Sequence, residues 1–260
     1  MHPAQWRLIN AEHLEAIPCA LALARGNATA RALAQSDWLV RRKADGRFLA
    51  VRSGDQLNTL IRGALPRQLH ADLAELAEAD ANPVGHRPLS GLRERLHSLG
   101  LADDYGERSG LPLVAEPTLL DFAGRDRYLR PLWLSARAAR QWQAMRAAAG
   151  ADEVVLEAIS GYRSHAYQLG IFRRKLARGQ SIEQILSVNA APGYSEHHGG
   201  DAIDIGTPGE PAAEESFEGT AAFAWLLGHA QGFGFHMSYP RDNPHGIVYE
   251  PWHWCQAGSR

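Results

Sequence analysis

Three stretches of this chain hold most of the side chains that could do chemistry together. Gly193–Ile205 reads GYSEHHGGDAIDI, Ser160–Gln168 reads SGYRSHAYQ, and Tyr249–Trp254 reads YEPWHW. Between them they supply histidines, an aspartate, a glutamate and an arginine, which is the inventory of a zinc hydrolase. Catalytic zinc takes three protein ligands from His and Asp or Glu and keeps a fourth position for water. The assignment that fits best is His197 and Asp204 from the first stretch and His253 from the last. Glu250 then remains, three residues before His253. Such a carboxylate can take a proton from water and later pass it to a leaving amine.

Each of these residues has a plainer alternative. His197 and Asp204 lie seven positions apart, and on one straight strand they would face opposite ways. The Gly199-Gly200 pair between them lets the backbone bend, so both could reach one ion; otherwise they are a simple hydrogen-bonded pair. Trp252 and Trp254 flank His253 and would wall the site, or would make His253 a satisfied neighbour of the core. His198 competes with His197 as a ligand, and only one of two adjacent side chains on an extended segment should bind. His165 is expected on an exposed helix face, His236 in a core or wall, and His245 in an exposed turn. Arg163, at the end of a strand, can clamp a carboxylate with two parallel hydrogen bonds. Gln168 and Ser195 are uninformative alone, and His2, His13 and His70 read as isolated surface residues.

The elements that must position these residues read as follows. Residues from about 4 to 35 are Ala- and Leu-rich and suggest one or two helices broken at Gly26-Asn27. Trp38–Val40 and Phe48–Val51, around an Asp45-Gly46 turn signal, suggest a β-hairpin. Leu57–Leu65 and Leu69–Ala79 read as short helices, and 80–90, DANPVGHRPLS, as a linker. Residues 1–89 therefore look like a small separate α/β module without visible chemistry, and 90–260 like the domain that carries the site. In the second part a helix begins near Ser90. Ser135 caps a strong helix with Ala139, Trp142, Met145 and Ala149 on its apolar face and Gly150 at its stop. Val154–Ile159 is a strand that delivers the chain into Ser160–Ser164, and His165–Arg178 is a helix. Ser181 and Gln184 form a capping box. Ala202–Ile205, Phe233–Tyr239 and Ile247–Tyr249 read as strands, and Thr220–Gln231 as a helix. The expected fold class is α+β: a small antiparallel sheet flanked by helices, carrying the site on one face.

Composition excludes some functions. Forty-five per cent apolar and 22% charged residues describe an ordinary globular chain, and a formal net charge of -2 predicts neither a nucleic-acid nor a membrane-surface partner. No run of about eighteen apolar residues suggests a transmembrane helix. Cys19 and Cys255 read as buried thiols, with a single disulfide as the alternative. The N-terminal stretch lacks a basic region before its short apolar run Ile17–Ala24, so a signal peptide is not expected. A cytoplasmic location is the expectation, with the periplasm as the alternative.

At these residues the sequence resembles the VanY-like D-alanyl-D-alanine carboxypeptidases, of the wider lysostaphin, D-Ala-D-Ala carboxypeptidase and hedgehog-type group of zinc peptidases. The family's Ser-x-His-x-x-Gly-x-Ala-x-Asp is met by Ser195, His197, Gly200, Ala202 and Asp204. Its Ser-Gly-Tyr-Arg-Ser-x-x-x-Gln is met by Ser160, Gly161, Tyr162, Arg163, Ser164 and Gln168, and its Glu-Pro-Trp-His by Glu250 to His253. A looser Gly-Phe-x-x-Ser-Tyr-Pro appears as Gly234, Phe235, Ser238, Tyr239 and Pro240. The resemblance covers about 110–256 and leaves the first 90 or so residues outside. It implies a hedgehog/D-Ala-D-Ala-peptidase-like fold, with zinc on His197, Asp204 and His253 and Glu250 as catalytic base and acid. It implies that Arg163, Gln168 and Ser195 bind the C-terminal carboxylate of a short peptide, with Tyr239 among the substrate contacts. The substrate it implies is a peptidoglycan stem peptide or muropeptide, trimmed of its terminal D-alanine by D,D- or L,D-carboxypeptidase action. Two other readings compete: an endopeptidase of the same group, against which Arg163 argues, and a non-catalytic zinc binding module, against which Glu250 argues.

Overall fold

The computed structural model describes residues 6–63, 65–78 and 85–257. The chain starts with β1 (Arg7–Asn10), β2 (Leu14–Pro18), α1 (Asn27–Ala34), β3 (Trp38–Arg42), β4 (Phe48–Ser53), β5 (Gln56–Thr59) and α2 (His70–Glu78). It continues through α3 (Leu92–His97), α4 (Tyr105–Ser109), β6 (Leu119–Arg125), β7 (Pro131–Leu134), α5 (Ala136–Ala151), β8 (Glu157–Ser160) and α6 (His165–Leu176). It closes with α7 (Ile182–Leu186), β9 (Ala202–Gly206), α8 (Ala221–His229), β10 (Phe235–Met237) and β11 (His253–Gln256).

Two antiparallel sheets organise the molecule. The smaller has the order β10-β11-β9-β8, and the larger β5-β4-β3-β2-β1-β6-β7. The small sheet is the one expected from the sequence. Its central strands, β9 and β11, are buried along their whole length, and their side chains point alternately to two different faces. On β9, Ile203 and Ile205 join Trp254 of β11 in a core built on Trp142 and Met145 of α5 and Leu226 of α8. Asp204 and His253 fall on the opposite face. A second core, with Phe172 and Ile185 at its centre, packs α3, α4, α6 and α7 beside that face.

Several expectations hold locally. The hairpin of β3 and β4 turns through Gly46 at a φ of 65°. Ser135 caps α5 and accepts from Ala138 N–H, with Ala139, Trp142, Met145 and Ala149 all buried beneath. The Ser181–Gln184 capping box forms in full. Both cysteines are buried and free.

The N-terminal part differs from the expectation. The stretch read as helix up to Gly26 is instead the hairpin of β1 and β2, with Ile9 opposite Ala16, followed by a single 3₁₀ turn at Cys19–Leu21; the α-helix is Asn27–Ala34. Both faces of β1 to β3 are covered: Ile9, Leu14 and Val40 pack under α2, and Leu8, Ile17 and Leu39 pack on the other side. A strand buried on both faces loses the polar alternation that would distinguish it from a buried helix. The helix expected over Leu57–Leu65 is likewise replaced over 57–63 by strand β5 and its following bend, residue 64 lying outside the described residues. Ile247–Tyr249, expected as a strand, forms none. Part of the expected linker, 80–84, lies outside the described residues, as does His2.

The boundary expected near residue 89 does not separate two sheets. β1 pairs with β6, placing Leu8 opposite Leu120, so the N-terminal strands and the segment before α5 share one hydrogen-bonded layer. Helices α1 and α2 pack on its N-terminal strands, through Leu33 on one side and Leu76 on the other. Its edge strand β7 reaches the small sheet: Tyr162 N–H donates to Trp133 O at 2.9 Å, and Ser135 N–H to Gly200 O at 2.8 Å.

Candidate active site

The site is assembled from strand register and one tight turn. β9 and β11 pair so that Asp204 and His253 stand directly opposite each other, which brings their side chains within contact range. His197 arrives from a short 3₁₀ turn, Glu196–Gly199, that ends at Gly200 with a φ of 75°. A Cβ at Gly200 would sit 2.4 Å from Leu120 Cδ2 and 2.8 Å from Ser135 N, so only glycine allows this approach to β7. The bend expected from the Gly199-Gly200 pair therefore exists and is made at Gly200. Gly161 is similarly confined, since a Cβ there would meet Trp133 O at 2.9 Å.

His197 Nε2 lies 3.3 Å from Asp204 Oδ1, and His253 Nδ1 lies 3.1 Å from the same oxygen. Among the described residues, His197, Asp204 and His253 form the one group whose ligand atoms all fall within 4.8 Å of one another. Around a tetrahedral ion with bonds of about 2.0–2.1 Å, neighbouring ligand atoms stand about 3.3 Å apart. The remaining ring nitrogens are also occupied: His197 Nδ1–H donates to Gly161 O at 2.8 Å, and His253 Nε2–H to Glu196 Oε2 at 2.8 Å. Both bonds orient the other ring nitrogen toward Asp204, the arrangement that fits imidazoles for a metal. The donor set and ring orientations therefore suit zinc.

The electrostatics favour a cation there. Burial opposes the Asp204 charge, yet His197 and His253 hold its carboxyl far below the usual range. Burial would lower His253, but Asp204 and Glu196 raise it to about 10. His197 is lowered by burial. Glu196, despite burial, is brought to about 2 by its bond to His253. Two carboxylates thus converge on one imidazole, and a dication would meet the same negative field.

Glu250 sits one turn before His253, with its Oε2 4.0 Å from His253 Nδ1. Burial is the main cause that raises its pKa to about 7; His253 and Arg163 pull it down, and Asp204 and Glu196 push it up. A carboxyl near 7 can both accept and return a proton at neutral pH. Arg163 is held by its backbone N–H on His197 O at 3.1 Å and by Nη1 on Gln168 Oε1 at 3.1 Å, with Nη2 3.8 Å from Asp204. Gln168 also donates to Ala190 O at 2.9 Å. Both ends of its amide are engaged, so it braces Arg163. Ser195 is buried in the wall, and Tyr239 packs its ring 4.8 Å from that of His253.

A cavity of about 280 Å³ is lined by all eight candidates, His197, Asp204, His253, Glu250, Arg163, Gln168, Ser195 and Tyr239, together with Trp252. Trp254, the other expected wall residue, turns into the core instead. A larger cavity, about 460 Å³, lies between β2, β3 and the Ser160–Ser164 loop and holds none of the triad.

The other histidines separate clearly. His198 is fully buried; its Nδ1–H donates to Arg163 O at 2.6 Å and its Nε2 accepts from Gly193 N–H at 3.1 Å, so it has no nitrogen left for a metal. His165 was expected to be exposed. It is buried at the start of α6, with Nε2 donating to Val114 O at 2.8 Å and its ring against His198. His236, expected in a core or wall, is exposed on its edge strand, and His245 is half-buried against Ser109 O. Sequence reasoning missed Glu196. Its partner His253 is 57 positions away, and no spacing links the two.

A small antiparallel sheet that presents a His-Asp-His triad, a buried carboxyl and an arginine in one cleft defines a peptidase-type site. The chain belongs to the VanY family: the family model described as VanY, D-alanyl-D-alanine carboxypeptidase, matches residues 131–259. The bifunctional D-Ala-D-Ala dipeptidase and D-Ala-D-Ala carboxypeptidase VanXYC of Enterococcus gallinarum is 30% identical over 145 residues, covering 54% of this chain and 73% of that one. The putative carboxypeptidase YodJ of Bacillus subtilis is 34% identical over 133 residues, covering 49% of this chain and 48% of its own. A solved structure of VanYB in complex with D-alanine-D-alanine shares 30% identity over 49% of this chain and 73% of that chain, with a TM-score of 0.42. The family match starts at β7 and leaves out β1 to β6.

Proposed function

We propose that this chain is a zinc-dependent carboxypeptidase that removes the C-terminal D-alanine from peptidoglycan stem peptides or their precursors. The observation that carries the proposal is the convergence, in one 280 Å³ cavity, of a metal-type triad, a buried carboxyl and an arginine. The family and the relatives' names support the substrate class.

Held by His197, Asp204 and His253, zinc would supply a Lewis acid and make water more acidic. Arg163 would donate two hydrogen bonds to the substrate's terminal carboxylate, oriented by Gln168. Because only a chain end offers that carboxylate, the arginine makes the action exo rather than endo. Glu250 would take a proton from the attacking water as its oxygen bonds to the last peptide carbonyl carbon. It would then return the proton to the amine nitrogen as the C–N bond breaks, which leaves a shortened peptide and free D-alanine. Glu196 would keep His253 in the tautomer and orientation the site requires. Tyr239 stays protonated, its pKa raised by burial and by Glu196 and Glu250, and walls the cleft.

The test is mass-spectrometric assay of zinc-loaded protein on muropeptides ending in D-Ala-D-Ala and on tetrapeptides ending in D-Ala after an L-centre. Release from the pentapeptide alone defines a D,D-enzyme, and release from the tetrapeptide alone an L,D-enzyme. Release from neither, with zinc bound stoichiometrically, sinks the proposal.

A further inference from the structure

The N-terminal strands lie outside the family match, yet they end in a buried polar cluster directly behind the arginine. Lys43, just after β3, has a side chain only 2% exposed and forms an ion pair with Glu116, itself 6% exposed. Lys43 also donates to Ala11 O at 2.9 Å. Glu116 Oε1 accepts from the backbone N–H of His165 at 2.8 Å, and Oε2 accepts from the Tyr162 hydroxyl at 2.5 Å. Asn10 of β1, 1% exposed, donates from Nδ2 to the Tyr162 oxygen at 2.9 Å and to Pro117 O at 2.8 Å. Tyr162 and His165 bracket Arg163 in the chain. The loop that carries the arginine is therefore tied at both ends to groups supplied or neutralised by the N-terminal sheet.

Packing alone does not fix this loop. Ser160 to Ser164 line the 460 Å³ cavity that opens between them and β2–β3, so one side of the loop lacks close neighbours. Charge and hydrogen bonds take the place of packing there. Burial works against the Glu116 charge, but Lys43, His165 and the Tyr162 hydroxyl together hold its carboxyl below the ordinary range. Burial and the Glu116 charge raise the Tyr162 hydroxyl well above its own, so it remains a donor. A buried ion pair with its hydrogen bonds satisfied is costly to break from one side, because the remaining charge is left uncompensated.

We propose that the N-terminal sheet acts as a positioning element for Arg163, through the Lys43–Glu116 ion pair that anchors the Tyr162–His165 loop. The consequence for catalysis rests on the carboxypeptidase reading above; the anchoring itself does not.

The test uses the full chain carrying Lys43→Met, with Tyr162→Phe as a milder second variant that removes one hydroxyl and no charge. Amide hydrogen exchange is the first readout. In both variants the amides of Tyr162, Arg163 and His165 should exchange faster, while those of β9 stay protected and zinc content is unchanged. Steady-state kinetics on the peptide substrate is the second. KM should rise by about ten- to a hundredfold in Lys43→Met with a much smaller change in kcat, as a misplaced binding group predicts. Adding Lys43→Met to Arg163→Ala should then cost little more, and Glu116→Gln added to Lys43→Met should recover part of the loss. Unchanged exchange in the loop overturns the proposal. So does faster exchange spread equally over β9, or a penalty that persists in full without Arg163. If the loop amides respond as expected but the parent protein hydrolyses no peptide, the anchoring stands and the carboxypeptidase reading falls.

Discussion

Removing the Glu196 carboxylate should weaken zinc binding without touching a ligand. Its Oε2 accepts from His253 Nε2–H at 2.8 Å, while His253 Nδ1 faces Asp204. A hydrogen bond to a charged partner contributes about 1.5–3 kcal/mol. Glu196 is a quarter exposed, so the lower half of that range applies. At about 1.4 kcal/mol per tenfold, Glu196→Ala should raise the zinc dissociation constant by about ten- to fortyfold, inside the ten- to hundredfold span usual for such outer partners. Glu196→Gln keeps an oxygen that can accept from Nε2–H and loses only the charge, so it should fall between parent and Glu196→Ala. Competition with a chromophoric chelator at fixed pH measures all three proteins. A Glu196→Ala constant within about twofold of the parent would refute the reasoning, because a buried imidazole N–H that loses a charged acceptor cannot be that indifferent.

Other outcomes follow from the same geometry. Glu250→Gln should slow hydrolysis by about 10²–10⁴-fold while zinc remains stoichiometric by elemental analysis; parallel loss of zinc would make Glu250 a ligand instead. Arg163→Lys replaces a fork with a point charge, so KM should rise, and peptides with an amidated C-terminus should resist both proteins; equal cleavage of the amide refutes the clamp. Gly200→Ala forces a Cβ against Ser135 N and Leu120 at a φ of 75°, which should cost at least about 1–3 kcal/mol of stability in denaturant unfolding. Acid should destabilise the fold through Glu116 and His165. Glu116 is lowered in the fold, burial notwithstanding, by Lys43 and His165, and His165 is lowered by burial. Both contributions are present above the unfolded values of about 4.3 and 6.5, and both are lost as pH falls through the folded ones. The Lys43→Met/Glu116→Gln variant should therefore show a shallower loss of stability than the parent as pH falls below about 4.3, the unfolded carboxyl value, measured by urea unfolding.

The small sheet and its site were legible because their signals are local. Alternation on Ala202–Gly206 separates Asp204 from Ile203 and Ile205, and Glu250 and His253 lie in one short stretch. Gly200 was legible too, since a glycine between two candidate ligands announces a bend. The N-terminal sheet was not. Leu8, Ile9, Leu14, Ala16 and Ile17 are all buried, on a layer covered on both sides, so nothing in their order marks a strand. The pairing of β1 with β6 joins residues more than a hundred positions apart, so reading along the chain shows the Pro- and Gly-rich 80–90 stretch but not the layer that spans it.

The two features that no spacing revealed share one cause. Glu196 reaches His253 across 57 positions, and Asn10 reaches Tyr162 across 152. Each is a polar side chain that would be expensive to bury alone, and each is satisfied by a group that only the folded chain brings near. A ligand triad can be guessed from residue types because the metal dictates them. Its supports answer only to geometry: a carboxylate suits Glu196 because His253 Nε2–H points there, and a lysine suits position 43 because Glu116 is buried beside it. On this account, substitutions at Glu196 and Lys43 should show the strongest dependence on their partners. Glu196→Ala should lose its effect on zinc once His253 is replaced, just as Lys43→Met should lose its effect on KM once Arg163 is gone.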